Sequence, residues 1–298
     1  MILFGTFFLA KRILTYIIFY ISMSKYRLEE MSWMEAEEAM RDSEVVLLPV
    51  GTLHGHGATP IGVDSFSVDR IADLVAEKTG VPKLPLMVYG ENEKQKFYPG
   101  SITINPATLE EVYVDILKSI KRNGVSKVII LNGHGGNREV IIRACLRARK
   151  FSLVAALLEW YNIGNQLAPE LYEEAGGGFM MELALAVAIY GEEIADIRPG
   201  EGYKGEWGKR YTMKKIFGKE IEPLGFHSFE YEGAKIIIPV DAWDLDVEGP
   251  PELTNENLPP LKEIGEKIID EVVDFTVNFV ETFSKVDLKD ALKTRDNL

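Results

Sequence analysis

Cysteine is almost missing from this chain: Cys145 stands alone, which excludes an intrachain disulfide framework and a zinc site built from several thiolates. Histidine is scarce as well, with four in 298 residues, so where each one falls carries information. Positive charge is in deficit, 33 Lys and Arg against 46 Asp and Glu, for a formal net charge of -13. Phosphate backbones and anionic lipid select clustered Lys and Arg, so this balance argues against a nucleic-acid or membrane-surface partner and fits a small molecule better. No internal repeat or low-complexity linker interrupts the sequence.

An unbroken apolar span is also lacking. Met1 to Ala10 and Ile13 to Ile21 are strongly apolar, but Lys11-Arg12 splits them, and a membrane-spanning helix needs about 20 mostly apolar residues without a charged pair mid-span. No small-residue cleavage site follows. A weak anchor, an oligomer contact and an upstream extension whose true start is Met23 or Met31 remain open, and the last is the preferred reading. Residues 1–30 are therefore expected to stand outside the fold, with Met1 to Ser22 dispensable, residues 31–285 to form a single domain, and 286–298 a frayed tail. The setting is expected to be cytoplasmic.

What is present is an ordinary globular composition, 46% hydrophobic and 27% charged, with ample material for a core. One stretch organises the rest. Val128 to Leu131 is a continuous, mostly β-branched run, as in a strand of a parallel sheet covered on both faces. It ends abruptly in Asn132 to Asn137, where three glycines surround His134. Helical spacing then resumes from Arg138 to Lys150, with Val140, Ile141, Ala144, Cys145 and Ala148 on one side, which makes Cys145 a buried, inert thiol. His134 thus sits on a strand-to-helix turn, the place where open α/β sheets bind ligands. A phosphate loop would need a Gly-Lys-Ser/Thr ending that Asn137-Arg138-Glu139 does not supply. A plain turn remains the competing reading of this segment taken alone.

In chain order, a short helix is expected over Ser32 to Met40 and a buried strand over Glu44 to Val50. A loop follows, carrying His54, His56 and Asp64, then a helix with Val68, Ile71, Ala72 and Val75 inward and Gly80 as its stop. Leu84 to Tyr89 reads as a second strand. A capping box at Thr108 to Glu111 opens a helix with Leu109, Val112, Ile116, Leu117 and Ile120 inward, ending near Gly124. This β, α alternation through Leu158 predicts an α/β fold with a mostly parallel sheet. Phe179 to Tyr190 is apolar nearly all round, so its Glu182 needs a pairing group, a proton or a metal. A salt bridge to Arg138 or Arg143 is the alternative weighed for it. Arg198 to Tyr231, which holds His227, reads as an irregular segment covering a site. Leu261 to Phe283 closes the chain with Ile264, Ile268, Val272, Phe275 and Phe279 at helical spacing.

Three of four histidines therefore fall on two strand-end loops beside Asp64, with Glu182 on a third segment. Imidazoles and carboxylates at one end of a sheet are the donor set of a Zn, Mn or Fe site, catalytic or, as the main rival, a closed structural zinc.

The same residues carry a family resemblance. Pro49-Val-Gly-Thr52, His56-Gly57, Pro60-Ile-Gly-Val-Asp64, Tyr98-Pro-Gly-Ser101 and above all Asn132-Gly-His-Gly-Gly-Asn137 resemble the motifs of the creatininase (creatinine amidohydrolase) family. The resemblance extends over about Met31 to Phe283. It implies a three-layer α/β/α fold, a small-molecule substrate, a homo-oligomer (hexamers) and one or two divalent metal ions. It also implies that Asp64 bridges the ions, that His56 and His134 each hold one, and that Glu182 takes the position of a later family glutamate. The chain departs from the pattern at three points. His54 replaces the family's first metal-binding glutamate, the spacer before Asp64 is one residue short, and Gly177 stands where creatininase has a proton-shuttling histidine. A histidine still binds metal, so the first change alters metal preference. The last weighs against creatinine itself as substrate, and His227 is the candidate substitute for the shuttle. The implied reaction is hydrolysis of a cyclic or linear amide by metal-activated water, with Glu182 as ligand or base. Alternatives are ring opening of a cyclic ketone such as an oxidised inositol, and a metal-binding homologue without turnover.

Overall fold

The computed structural model describes residues 26–55, 59–96, 98, 100–176, 178–194, 210–213, 222–225, 228–239, 245–248 and 260–288. Residues 1–25 and 289–298, with His56, Gly177 and His227, lie outside them, and so do the expectations that rest on those positions.

Three parallel strands form the central sheet in the order β1 (Val46–Val50), β2 (Lys127–Asn132) and β3 (Val154–Glu159). Val50 pairs with Asn132 and Asn132 with Glu159, so the three strands end at one level and release their loops side by side. Every residue of β1 and β2 is buried, as their continuous apolar runs require of strands covered on both faces.

The period of two along each strand sorts these side chains between two cores. Leu47, Ile129 and Leu131 join Val68, Ile71 and Val75 of α2 (Val63–Thr79), Leu183 and Leu185 of α7 (Gly178–Tyr190), and Ile264, Ile268 and Val272 of α8 (Leu261–Ser284). Val46, Leu48, Val50, Val128 and Ile130 join Leu109, Tyr113 and Leu117 of α3 (Pro106–Arg122) and Val140, Ile141 and Ala144 of α4 (Arg138–Ala148). Helices thus cover both faces, giving the three layers expected. Each fully buried Val, Leu or Ile contributes roughly 1.5–3 kcal/mol. The remaining helices are α1 (Trp33–Asp42), with Ser32 and Glu35 forming its capping box, α5 (Trp160–Leu167) and α6 (Pro169–Ala175).

The differences from expectation have local causes. Leu84 to Tyr89 is not a regular strand. The chain there does run beside β1, with Leu84 N donating to Leu47 O at 2.9 Å and Gly51 N to Met87 O at 2.8 Å, but only the bridges Leu47–Lys83 and Val50–Met87 form. Pro85 lies between them and has no N–H to continue a ladder. The helix expected from Thr108 begins earlier, at Pro106, because Asn105 caps it by accepting from Ala107 N at 2.9 Å. Its buried stripe runs through Leu109, Tyr113, Leu117 and Ile120, leaving Val112 on the exposed side. In α8, Phe275 is exposed and Thr276 is buried in its place, its hydroxyl satisfied by Val272 O at 2.7 Å.

The segment read as irregular contains strands. β4 (Arg210–Met213) pairs antiparallel with β8 (Leu245–Glu248), and β5 (Glu222–Gly225), β6 (Ser228–Tyr231) and β7 (Ala234–Ile237) form an antiparallel set. Glu232 and Gly233 link β6 to β7 with φ of 49° and 78°, the positive values that a two-residue hairpin turn requires.

Candidate metal centre

The site is assembled where β1, β2 and β3 end. Beyond β1 the chain turns through Gly51 to Gly55 and carries His54 inward, its N–H donating to Ile61 O at 3.0 Å. Asn92 braces this loop by donating to Thr52 Oγ1, to Leu53 O at 3.3 Å and to Ile102 O at 2.6 Å. Ser101 Oγ accepts from Gly55 N at 3.3 Å, which places the Tyr98 to Ser101 motif against the His54 loop. Asp64 stands in the first turn of α2, and Ser65 Oγ ties that turn to Thr52 O at 2.8 Å. Gly133, after β2, is glycine for a steric reason: a Cβ there would lie 1.9 Å from Asp64 O. Only a bare backbone lets the start of α2 press against the β2 turn and bring Asp64 to His134.

His54, Asp64 and His134 are 3%, 1% and 6% exposed, so their polar atoms must satisfy one another. His134 Nδ1 lies 2.7 Å and His54 Nε2 3.1 Å from the same oxygen, Asp64 Oδ2, and the two ring nitrogens are 3.2 Å apart. The outer nitrogens fix the tautomers. His134 Nε2 faces Glu91 O at 2.9 Å and His54 Nδ1 faces Gly55 O at 3.1 Å. A carbonyl only accepts, so each outer nitrogen carries the proton and each inner nitrogen, in the neutral ring, carries a lone pair. For His54 the neutral form is favoured: burial holds its pKa below 6.5, although the Asp64 carboxylate pulls the other way.

Two lone pairs and a carboxylate oxygen thus point at one another. This arrangement is repulsive until a cation sits among them, and backbone carbonyls on the outer nitrogens are the usual device for aiming imidazole ligands. The three donor atoms lie within 4.8 Å of one another, and imidazole nitrogen with carboxylate oxygen suits Zn or Mn. The residues present fit a metal ion.

Glu182 is not one of these three. It lies on α7, half-buried and close enough to Asp64 of α2 to feel its charge. Burial first, and the neighbouring Asp64 carboxylate second, raise its pKa well above the ordinary carboxylate value. The alternative partners weighed from sequence are engaged elsewhere: Arg138 pairs with Glu159 and Arg143 with Glu110. Cys145, expected to be buried, is half-buried, and burial pushes its thiol up to about 11, away from the thiolate that a nucleophile needs.

Sequence reasoning missed several supports. Asn137 donates to Gly51 O at 3.0 Å and accepts from Glu91 N at 2.9 Å, stitching three loops together. Glu91 contributes its main-chain carbonyl to His134, a role that leaves no trace in side-chain chemistry. Glu159, the last residue of β3, was readable only as the end of an apolar run. Its carboxylate accepts from Arg138, Asn132, Tyr161 and Asn162.

The chain is similar to known proteins in sequence and in fold. The family described as Creatininase: Creatinine amidohydrolase matches residues 29–225. A creatinine amidohydrolase of Pseudomonas putida is 30% identical over 185 residues, 54% of this chain and 70% of that protein. A 3-dehydro-scyllo-inosose hydrolase of Thermotoga maritima is 28% identical over 138 residues, 45% of this chain and 44% of that one. A mycofactocin precursor peptide peptidase of Mycolicibacterium smegmatis is 32% identical over 107 residues, 34% and 43% of the two chains. This chain therefore spans less than half the length of the last two. Among solved structures, a creatinine amidohydrolase (creatininase) superposes with a TM-score of 0.65 at 21% identity, over 88% of this chain and 99% of that one. A mutant creatininase of Zn-Zn type (TM-score 0.64, 22% identity, 88% and 99% covered) and a structure described as creatininase Mn (0.62, 22%, 88% and 99%) share the fold.

Proposed function

Because the chain belongs to the creatininase family, whose members are hydrolases, we propose that it hydrolyses a C–N bond in a cyclic or linear amide of a small molecule, using a divalent metal held by His54, Asp64 and His134. The observation that carries this reading is the convergence of two imidazole nitrogens on one buried carboxylate oxygen, at the end of a parallel sheet where α/β folds bind their ligands. A bound metal supplies two things there: it lowers the pKa of water and polarises a carbonyl oxygen. The chain supplies the rest. Glu91 O and Gly55 O keep the outer imidazole protons in place, so the inner nitrogens stay available as ligands. Glu182, on the α7 side of Asp64, is either a further ligand or the carboxylate that takes a proton from water and returns it to the leaving nitrogen. His56 is proposed as a further ligand and His227 as a replacement for the family's proton shuttle, both on the resemblance alone.

A second reading is favoured by one specific similarity, that to an inosose hydrolase: the same centre would open a cyclic ketone at a C–C bond. Elemental analysis of the purified protein, followed by activity screening on lactams, formamides and cyclic ketones, separates the two. Turnover of either amide class supports the first reading, and turnover of ketones alone supports the second.

Residues 31–285 are proposed to act as one domain, and the protein as a homo-oligomer in the cytoplasm. Among the described residues no helix is long and apolar enough to cross a membrane. A monomer by light scattering at micromolar concentration would contradict the oligomer.

A further inference from the structure

We infer that Glu159 is a positioning residue for the metal centre, setting the main chain of His134 through the side chain of Asn132. The inference rests on the reading of His134 as a metal ligand and adds a residue that reading does not contain.

Asn132 and Glu159 are register partners at the ends of β2 and β3. The Asn132 amide holds both main-chain groups of His134, accepting from His134 N at 3.1 Å and donating to His134 O at 2.7 Å. Its second N–H donates to Glu159 Oε1 at 3.2 Å, and its oxygen also accepts from Asn137 Nδ2 at 3.3 Å. All four hydrogen-bonding positions of this buried amide are therefore used. An asparagine amide has two nearly isosteric orientations, and only one donates to His134 O while accepting from His134 N. An ionised Glu159 accepts and cannot donate, so it selects that orientation.

Glu159 is itself held from four directions. Arg138 forks onto both oxygens, with Nε to Oε1 at 3.0 Å and Nη2 to Oε2, while Tyr161 Oη donates to Oε1 and Asn162 Nδ2 to Oε2 at 2.7 Å. Burial opposes its charge, but the hydrogen bonds from Arg138 and Tyr161 outweigh it and keep the group below the usual carboxylate range. Arg138 opens α4, the helix that follows the His134 turn, so its fork onto Glu159 also fixes where that turn ends. A purely structural ion pair with Arg138 would not need Asn132 to link the carboxylate to both main-chain groups of His134.

The test compares wild type, Glu159→Gln and Arg138→Gln, the second being a milder change on a side chain that is 44% exposed. Two quantities are read: zinc affinity, by competition with a chelator of known strength, and the visible spectrum of the cobalt-substituted protein, which reports ligand geometry. Disturbing groups that orient metal ligands typically lowers affinity about 10-fold to 100-fold. Glu159→Gln is expected to weaken zinc by about 10-fold and shift the cobalt spectrum, and Arg138→Gln to do so by less. Wild-type affinity and spectrum in both variants, whatever their melting temperatures, overturns the inference while leaving the metal centre standing. Should Glu159→Gln not fold, Arg138→Gln decides alone by the same two readouts. Failure of the wild-type protein to bind zinc or cobalt overturns the metal reading itself, and this inference with it.

Discussion

His54 Nε2 and His134 Nδ1 face each other at 3.2 Å across the Asp64 carboxylate, each ring held in the tautomer that leaves its inner nitrogen unprotonated. Neutral ring nitrogens at that distance repel unless something positive lies between them. The fold holds them there regardless, because the ends of β1 and β2 and the start of α2 are locked by buried backbone contacts.

His134→Ala is expected to abolish stoichiometric metal binding while the protein stays folded, since the ring's hydrogen bonds run to Asp64 and Glu91 O within the centre itself. Metal content by elemental analysis with a far-ultraviolet circular dichroism spectrum checks this. Full metal content in the variant would remove His134 from the centre.

Glu182→Gln is expected to act with opposite signs on stability and on metal. The folded-state pKa of Glu182 is raised, so folding favours its protonated form; the penalty is absent below about pH 4.5, its unfolded value, and grows as pH rises. The metal-free variant should therefore melt higher than metal-free wild type at neutral pH, with the gap closing as pH falls toward 4.5. Its gain in melting temperature on adding zinc should be smaller than that of wild type. A lower metal-free melting temperature at pH 7 would show that Glu182 stabilises the fold as an ion pair.

The Glu182→Gln background also isolates His54. Its folded-state pKa is depressed below 6.5, so its contribution to stability is present above 6.5 and is lost as pH falls through the lower folded value. Zinc affinity of the folded protein should fall only as pH drops through that lower folded value, because the proton then competes for the inner lone pair. Undiminished zinc affinity in His54→Ala at neutral pH would contradict His54 as a ligand.

Within the Gly-rich turn, two glycines are expected to respond differently. At Gly133 a Cβ would sit 1.9 Å from Asp64 O, so Gly133→Ala must push α2 away, costing roughly 1–3 kcal/mol or more and weakening metal binding. At Gly135 the nearest atom is Tyr161 Oη at 3.7 Å, and Gly135→Ala should be neutral or slightly stabilising. Chemical denaturation of both variants checks the contrast. Equal losses would show that the turn is constrained by conformation rather than by space.

Why some of this was legible in the sequence and some was not follows from where each signal resides. β1, β2 and the His134 turn were readable because a buried parallel strand writes its burial as an apolar run and its end as glycine. That His54, Asp64 and His134 would come together was readable because donor chemistry is carried by side chains and all three stand on strand-end turns or just after them. The clamp on His134 was not, since it runs through Glu91 O and the Asn132 amide, and asparagine in a turn looks the same whether it caps, kinks or clamps. Glu159 escaped notice because it follows an apolar run and its four donors come from β2, α4 and α5. The β6–β7 hairpin was hidden because its turn is Glu232-Gly233 rather than Asn-Gly, and the tertiary pairing imposes a positive φ on the glutamate.

Metal-dependent hydrolysis of an amide at the His54, Asp64 and His134 centre is decided by measuring C–N bond cleavage across lactams and formamides before and after chelation and after readdition of Zn or Mn. Turnover should disappear on chelation, return with metal and be lost in His134→Ala. Hydrolysis that survives complete removal of metal, or stoichiometric bound metal with no turnover of any amide, would contradict it.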